Sequence, residues 1–255
     1  MEFRESKDIG FLLKFVEKEH LEGFLKGEIN FSSLKYFNDK AKNDHDDFIA
    51  DEKEGAFKVD IPKNASIKLK VEGEDRIFEI ESVSGTIQVE LEEKDKAELG
   101  CASFFYISMD DMEFKRNDLE KDETIYVLKD SVKDYFKVFN EDQRIPVLIE
   151  ANRFIKMLKN YTERQKNCGP VHYYKNNFQE FVASEPDKIP YEMIPFYKDE
   201  KFKEQREWRI ISRLDKEGER QCINFGDISS FSLILDDSNN QQVAMIFKGL
   251  VKKDA

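Results

Sequence analysis

The sequence predicts an α+β fold: a mixed, largely antiparallel sheet core with flanking helices and an inserted β-meander. Three observations predict it. Short apolar runs alternate with amphipathic stretches, but without the regular spacing of βαβ units. Residues 56–93 alternate apolar and polar side chains at period two, as strands with one wet face do. The 255 residues include 22 Phe and 9 Tyr, enough aromatic mass to bury a core although 37% of the chain is charged. The chain reads as a single domain over 1–255, with 56–95 as a β-meander insertion.

The elements follow in order. FLLKFV, Phe11 to Val16, reads as a buried strand. Leu21, Phe24 and Leu25 share one face of a short helix, and Gly27 suits the position after its last turn. INFSS, Ile29 to Ser33, is a second strand. Asn38 to Glu54 is rich in Asp, Asn, Lys and Glu and predicts an exposed, mobile loop. AFKVDI, ASIKLKV, RIFEIESV and TIQVELE form the meander, with turns at Pro62–Asn64, Gly73–Asp75 and Ser84–Gly85.

GCASFFYIS, Gly100 to Ser108, is a more fully buried strand, and ETIYVL, Glu123 to Leu128, is another. Ser131 caps a helix through Phe139. Ala151, Phe154, Ile155, Leu158 and Tyr161 fall on one face of an amphipathic helix of about four turns. Gly169–Pro170 ends that run, and VHYYK follows as a strand. Asn177–Ala183 is a polar helical stretch. EMIPFYK and EWRIIS read as strands, QCINF and FSLILDD complete the β content, and Gln241 to Lys252 reads as a closing helix.

Charge and composition exclude several functions. With 41 Lys+Arg against 53 Asp+Glu the chain carries −12, which disfavours non-specific binding to nucleic acid or an anionic membrane. No apolar run approaches the length of a membrane span, and the mixed-charge N-terminus lacks the apolar segment of a secretory signal, so the expected setting is cytoplasmic. Cys101, Cys168 and Cys222 are odd in number and widely spaced, neither a disulfide framework nor a zinc pattern. Phosphate-binding glycine loops, a GxSxG elbow and HExxH are all missing. His20 reads as structural or solvated, and His172 as a sheet histidine beside two tyrosines. His45 stands among Asp44, Asp46 and Asp47, a solvated acidic run without the spacing or glycine of an EF-hand. No metal site is expected.

The most informative segment is YKDEKFKEQREWRIIS, Tyr197 to Ser212. Gln205 and Glu207 have i, i+2 spacing, which on a strand puts both side chains on one face. A Gln-x-Glu pair facing a cleft suits transfer of a ribosyl cation. The carboxylate stabilises an oxocarbenium-like centre and holds a sugar hydroxyl, while the amide orients the nucleophile. In the plain structural alternative these residues are a polar lead-in to the strand, paired with Arg206 and Arg209. Lys14, Lys201, Lys203, Arg206 and Arg209 supply the cations that a pyrophosphate would need.

These motifs carry a resemblance. Phe31–Ser32–Ser33, Phe37–Asn38–Asp39, Cys101–Ser103–Phe104, Val171–Tyr173 and Lys201–Phe202 followed by Gln205–Arg206–Glu207–Trp208–Arg209–Ile210 are spread over most of the chain. Together they resemble a large family of uncharacterised bacterial and phage-defence proteins, similar to a group linked with abortive infection. Two departures stand out: the family's NDP reads Asn38–Asp39–Lys40 here, and the first Glu of its ExE is Gln205. The strand–helix–strand opening, a serine-bearing middle strand and a late [EQ]xE strand also resemble ADP-ribosyltransferases. That resemblance implies NAD as co-substrate, Glu207 as catalytic acid and Gln205 as the residue orienting the target. It further implies Lys14 as a contact to the NAD phosphates and Ser32, Ser33 or Ser103 as contacts on the nicotinamide side, with Arg209 in the binding set.

Three functions are thereby expected in turn. The first is an NAD-dependent ADP-ribosyltransferase-like protein in phage defence or a toxin system, acting on a macromolecular target. The second is a non-enzymatic antitoxin or sensor that binds a partner protein of a defence pair. The third and weakest is a metal-dependent nuclease built on Asp44, Asp46 and Asp47.

Overall fold

The computed structural model describes residues 9–44, 54–70, 77–118, 120–132, 144–164, 166–176, 189–216, 220–235 and 244–248. The fold is α+β, with antiparallel pairing dominant. The chain divides into two compact units. One draws on Phe31–Ala102 and Gln165–Gln221, the other on Arg4–Asn30, Ser103–Arg164 and Cys222–Ala255.

In the second of these, strand β1 (Ile9–Val16) has antiparallel neighbours on both sides. Leu12 lies opposite Tyr106 of β5 (Leu99–Ser108) and opposite Ile149 of β8 (Ile145–Glu150). β14 (Ser232–Ile234) pairs with the other edge of β8. Helix α4 (Ala151–Asn160) buries Ala151, Phe154 and Leu158 on one stripe, and the Phe154 ring meets Phe104 at 5.4 Å. The core gathers Leu13, Phe105, Ile107, Met112, Leu128, Val132 and Leu148. A separate antiparallel sheet joins β6 (Met112–Asp118), β7 (Glu123–Leu128) and β15 (Ala244–Lys248). After α1 (Leu21–Leu25) the chain turns at Gly27, whose φ is +91°. A Cβ there would lie 1.9 Å from the Gly226 carbonyl oxygen, so only glycine fits.

The first unit contains the end of β2 (Glu28–Ser33), helices α2 (Leu34–Asp44) and α3 (Glu93–Glu98), and strands β3 (Ala56–Lys70), β4 (Ile77–Glu90), β9 (Lys166–Pro170), β10 (His172–Tyr174), β11 (Tyr197–Asp199) and β12 (Glu207–Arg213). β12 pairs antiparallel with β9, from Trp208 opposite Pro170 to Ser212 opposite Lys166. It is buried along six of its seven residues, because both faces are covered. β10 and β11 form a short parallel pair, and β13 (Gln221–Asn224) leads out of the unit. Leu34, Leu91, Cys101, Ile194, Phe196 and Ile211 form the core.

Several local expectations change. The period-two segment is antiparallel, but its four short strands merge into two long ones, β3 and β4. Pro62–Asn64 sits at a shift of register and not at a chain reversal, since proline removes one ladder donor without ending a strand. Gly85 pairs with Ile61 inside the ladder. The expected turn at Gly73–Asp75 lies outside the described residues.

The charged run after Asn38 is helical as far as Asp44. Leu34, Phe37, Asn38 and Ala41 recur at i, i+3, i+4 and i+7 and turn inward, while the charges take the wet face. Glu54, expected to be exposed, is buried. EMIPFYK is a 3₁₀ turn over Tyr191–Phe196 that becomes strand only at Tyr197, because Pro195 cannot donate to a ladder. Ala244–Lys248 is a strand, since β7 offers it an edge to pair with. Phe139, the polar stretch Asn177–Ala183, and His45, Asp46 and Asp47 lie outside the described residues. Among the described residues, no helix is long and apolar enough to cross a membrane.

Candidate functional site

The expected Q-x-E pair does not lie on one strand. Gln205 ends a 3₁₀ turn, Arg206 adopts the left-handed conformation (φ 45°, ψ 50°), and β12 begins at Glu207. Strand alternation therefore pairs Glu207 with Arg209, and the carboxylate accepts from Arg209 Nε at 2.7 Å. Trp208 and Ile210 take the opposite face and are buried.

Gln205 and Glu207 nevertheless meet at one atom. Lys198 Nζ donates to Gln205 Oε1 and to Glu207 Oε1, each at 2.6 Å. The same ammonium lies 3.4 Å from Glu54 Oε1. Arg209 Nη2 donates to that Glu54 oxygen at 2.8 Å, and Nη1 donates to the Pro195 carbonyl at 2.5 Å. The result is a closed ring of alternating charge: Lys198, Glu207, Arg209, Glu54. Lys198, Arg209 and Glu54 expose 3%, 2% and 4% of their surface and Glu207 8%, so water does not screen the ring. Asn38 Nδ2 donates to the Glu54 carbonyl at 3.2 Å, which ties the FND segment to the EWR strand through Glu54.

The electrostatics follow from this packing. Burial alone would push the Glu207 carboxyl up, but Arg209 and Lys198 outweigh it and hold the group well below the usual carboxylate range. Burial would likewise push Lys198 down, yet Glu207 and Glu54 raise it above its ordinary value. Arg209 is raised for the same reason, burial being overcome by the two carboxylates. Lys198, Glu207 and Arg209 are thus each held in the charged form. Glu54 Oε2 and Asn38 Oδ1 are buried without a hydrogen-bond partner.

The remaining predicted residues are engaged elsewhere. Ser33 is buried, and its Oγ accepts from the Tyr36 amide at 3.1 Å, the bond of a helix N-cap at the start of α2. Ser32 lies beside it on β2, opposite Cys101. In the other unit, Lys14 Nζ donates to the Ser103 carbonyl at 2.6 Å and stands 5.3 Å from the centre of the Phe104 ring. Thus Glu207, Gln205 and Arg209 come together around Lys198, while Lys14 and Ser103 pair with each other. His172 packs against the Tyr197 ring at 5.5 Å. Among the described residues, Glu17, Glu19 and His20 form the one group of three metal-ligating side chains, and all three are exposed.

Sequence reasoning missed Glu54 and Lys198. Each has a local signal: a charge set beside an apolar run, Lys198 after IPFY and Glu54 before GAF. Charged residues in such places are paired when the run is buried. Comparisons with family models, with curated proteins and with solved structures give no match.

Proposed function

We propose that this chain is a non-enzymatic interaction protein, an antitoxin- or sensor-like subunit that acts by binding a partner protein of a defence pair. One observation carries the reading: both carboxylate oxygens of Glu207 are taken by cations in a buried ring. A carboxylate that stabilises a ribosyl cation has to face a cleft and accept a sugar hydroxyl. Glu207 instead neutralises Lys198 and Arg209, which is structural work. The defence setting comes from the resemblance of the FSS, FND and EWR segments.

A second reading, an NAD-dependent ADP-ribosyltransferase acting on a macromolecule, is favoured by the convergence of Gln205 and Glu207 on Lys198. It requires the ring to open and Lys198 to release Glu207 when NAD binds.

One assay separates the two. The purified chain and its Glu207→Gln variant are incubated with labelled NAD and cell lysate. The expected result is no NAD consumption and no transfer of label by either protein. Turnover by the wild type that the folded variant lacks would overturn the interaction reading.

A further inference from the structure

We infer that β14 and the groove beside it form the docking site for an extended partner segment with an acidic end. The inference rests on the interaction reading and gives it a surface. β14 pairs with β8 along one edge, and among the described residues no strand pairs with its other edge. Its consecutive residues Leu233 and Ile234 point to opposite faces, yet 53% and 42% of their surfaces are exposed. Two adjacent apolar side chains about half exposed leave part of each face of β14 in water, while Leu235 just beyond them packs against the core. Soluble proteins normally blunt such an edge with charge, proline or a covering element. Recognition by strand addition uses such edges, the backbone supplying affinity and the side chains on either face supplying selectivity.

The groove supplies the second half. It has a volume of about 510 Å³ and runs from the outer face of α4 to the turn that enters β14, with Arg153, Lys156, Tyr161, Phe225 and Phe231 among its lining residues. Its charged lining is wholly cationic on a chain of net charge −12. Arg153 shares its charge with Glu150 at 3.1 Å, and Lys156 is exposed. Tyr161 and Phe225 meet edge to face at 4.8 Å and make an aromatic wall. An acidic end of a partner strand fits beside Arg153 and Lys156, and its apolar residues cover Leu233 and Ile234. The acidic end belongs at the groove, because Arg153 and Lys156 line it.

The test uses the full chain and two fluorescein-labelled peptides, one with an acidic half followed by alternating Val and Thr, the other with lysines in place of the acids. Anisotropy titrations are expected to show binding of the acidic peptide only. Lys156→Glu and Leu233→Asp, both at exposed positions, are each expected to weaken it about tenfold or more with unchanged melting curves, and proline in the Val/Thr half is expected to abolish it. Equal binding of both peptides, or binding insensitive to both variants, overturns the site. So does preference for a single-stranded oligonucleotide probe, which would assign the cations and aromatic rings to nucleic acid. Failure of the peptide with no NAD turnover removes the docking site and leaves the interaction reading standing; NAD turnover dependent on Glu207 removes that reading itself.

Discussion

At the scale of single residues, the molecule turns on the ring of Glu54, Lys198, Glu207 and Arg209. A buried ion pair is not in itself a large source of stability, because desolvation of each charge offsets most of the attraction. Removing one member is a different matter, since it leaves a buried charge without its partner. Glu207→Gln keeps the shape but leaves two cations facing one carboxylate. We expect it to destabilise the chain by about 3–5 kcal/mol, read as a lower urea midpoint with an unchanged slope. A change within about 0.5 kcal/mol would mean that the ring is not closed in solution. The sequence marked Glu207 and Arg209 as the residues to watch, and alternation along EWR is enough to put them on one face. It could not supply Glu54, which lies 155 positions from Arg209. Nor could it show that Arg206 turns left-handed and takes Gln205 off the strand. A contact made by tertiary folding leaves no period in the sequence.

At the scale of elements, legibility followed periodicity. β1, β5, β7 and α4 were readable because one face of each is continuously apolar. α2 was not, because its inward stripe includes the polar Asn38 and its outward face is a dense run of charge. The long β3–β4 hairpin was readable as strand but not in length, since proline and glycine mark turns and register shifts alike. Gly27 was readable in both place and reason. It follows α1 with its amide bonded to the Phe24 carbonyl at 2.9 Å, and its own carbonyl accepts from the Phe225 amide at 3.0 Å. Gly27→Ala places a Cβ against the Gly226 backbone as well as in a left-handed conformation. The expected cost is about 2–4 kcal/mol, measured by chemical denaturation, with α1 and the Gly226 turn the first segments to lose hydrogen-exchange protection. An alanine variant as stable as the wild type would require this turn to be open in solution.

At the scale of the whole molecule, the ring makes a prediction about pH that the overall charge alone would not. Glu207 is held below its ordinary value of 4.5, so the unfolded chain takes up this proton before the folded one does. Its contribution is complete above 4.5, declines as pH falls below that, and is lost through the folded value. Lys198 has the opposite sign: raised above its ordinary 10.5, it contributes fully below 10.5 and is lost as pH rises through the folded value. The ring therefore stabilises the chain across the interval between, and the acid limb belongs to Glu207. On that limb the 53 Asp and Glu lose charge while the 41 Lys and Arg keep theirs, so repulsion among cations adds to the loss. Wild type and Glu207→Gln separate the two contributions. Both suffer the general repulsion, but glutamine does not titrate. We expect wild-type unfolding free energy, from urea titrations, to fall more steeply between about pH 5 and pH 3 than that of the variant, so that the gap between them narrows as acid is added. Parallel curves would mean that Glu207 is protonated alike in the folded and unfolded chains, and would remove the ring from the account of stability.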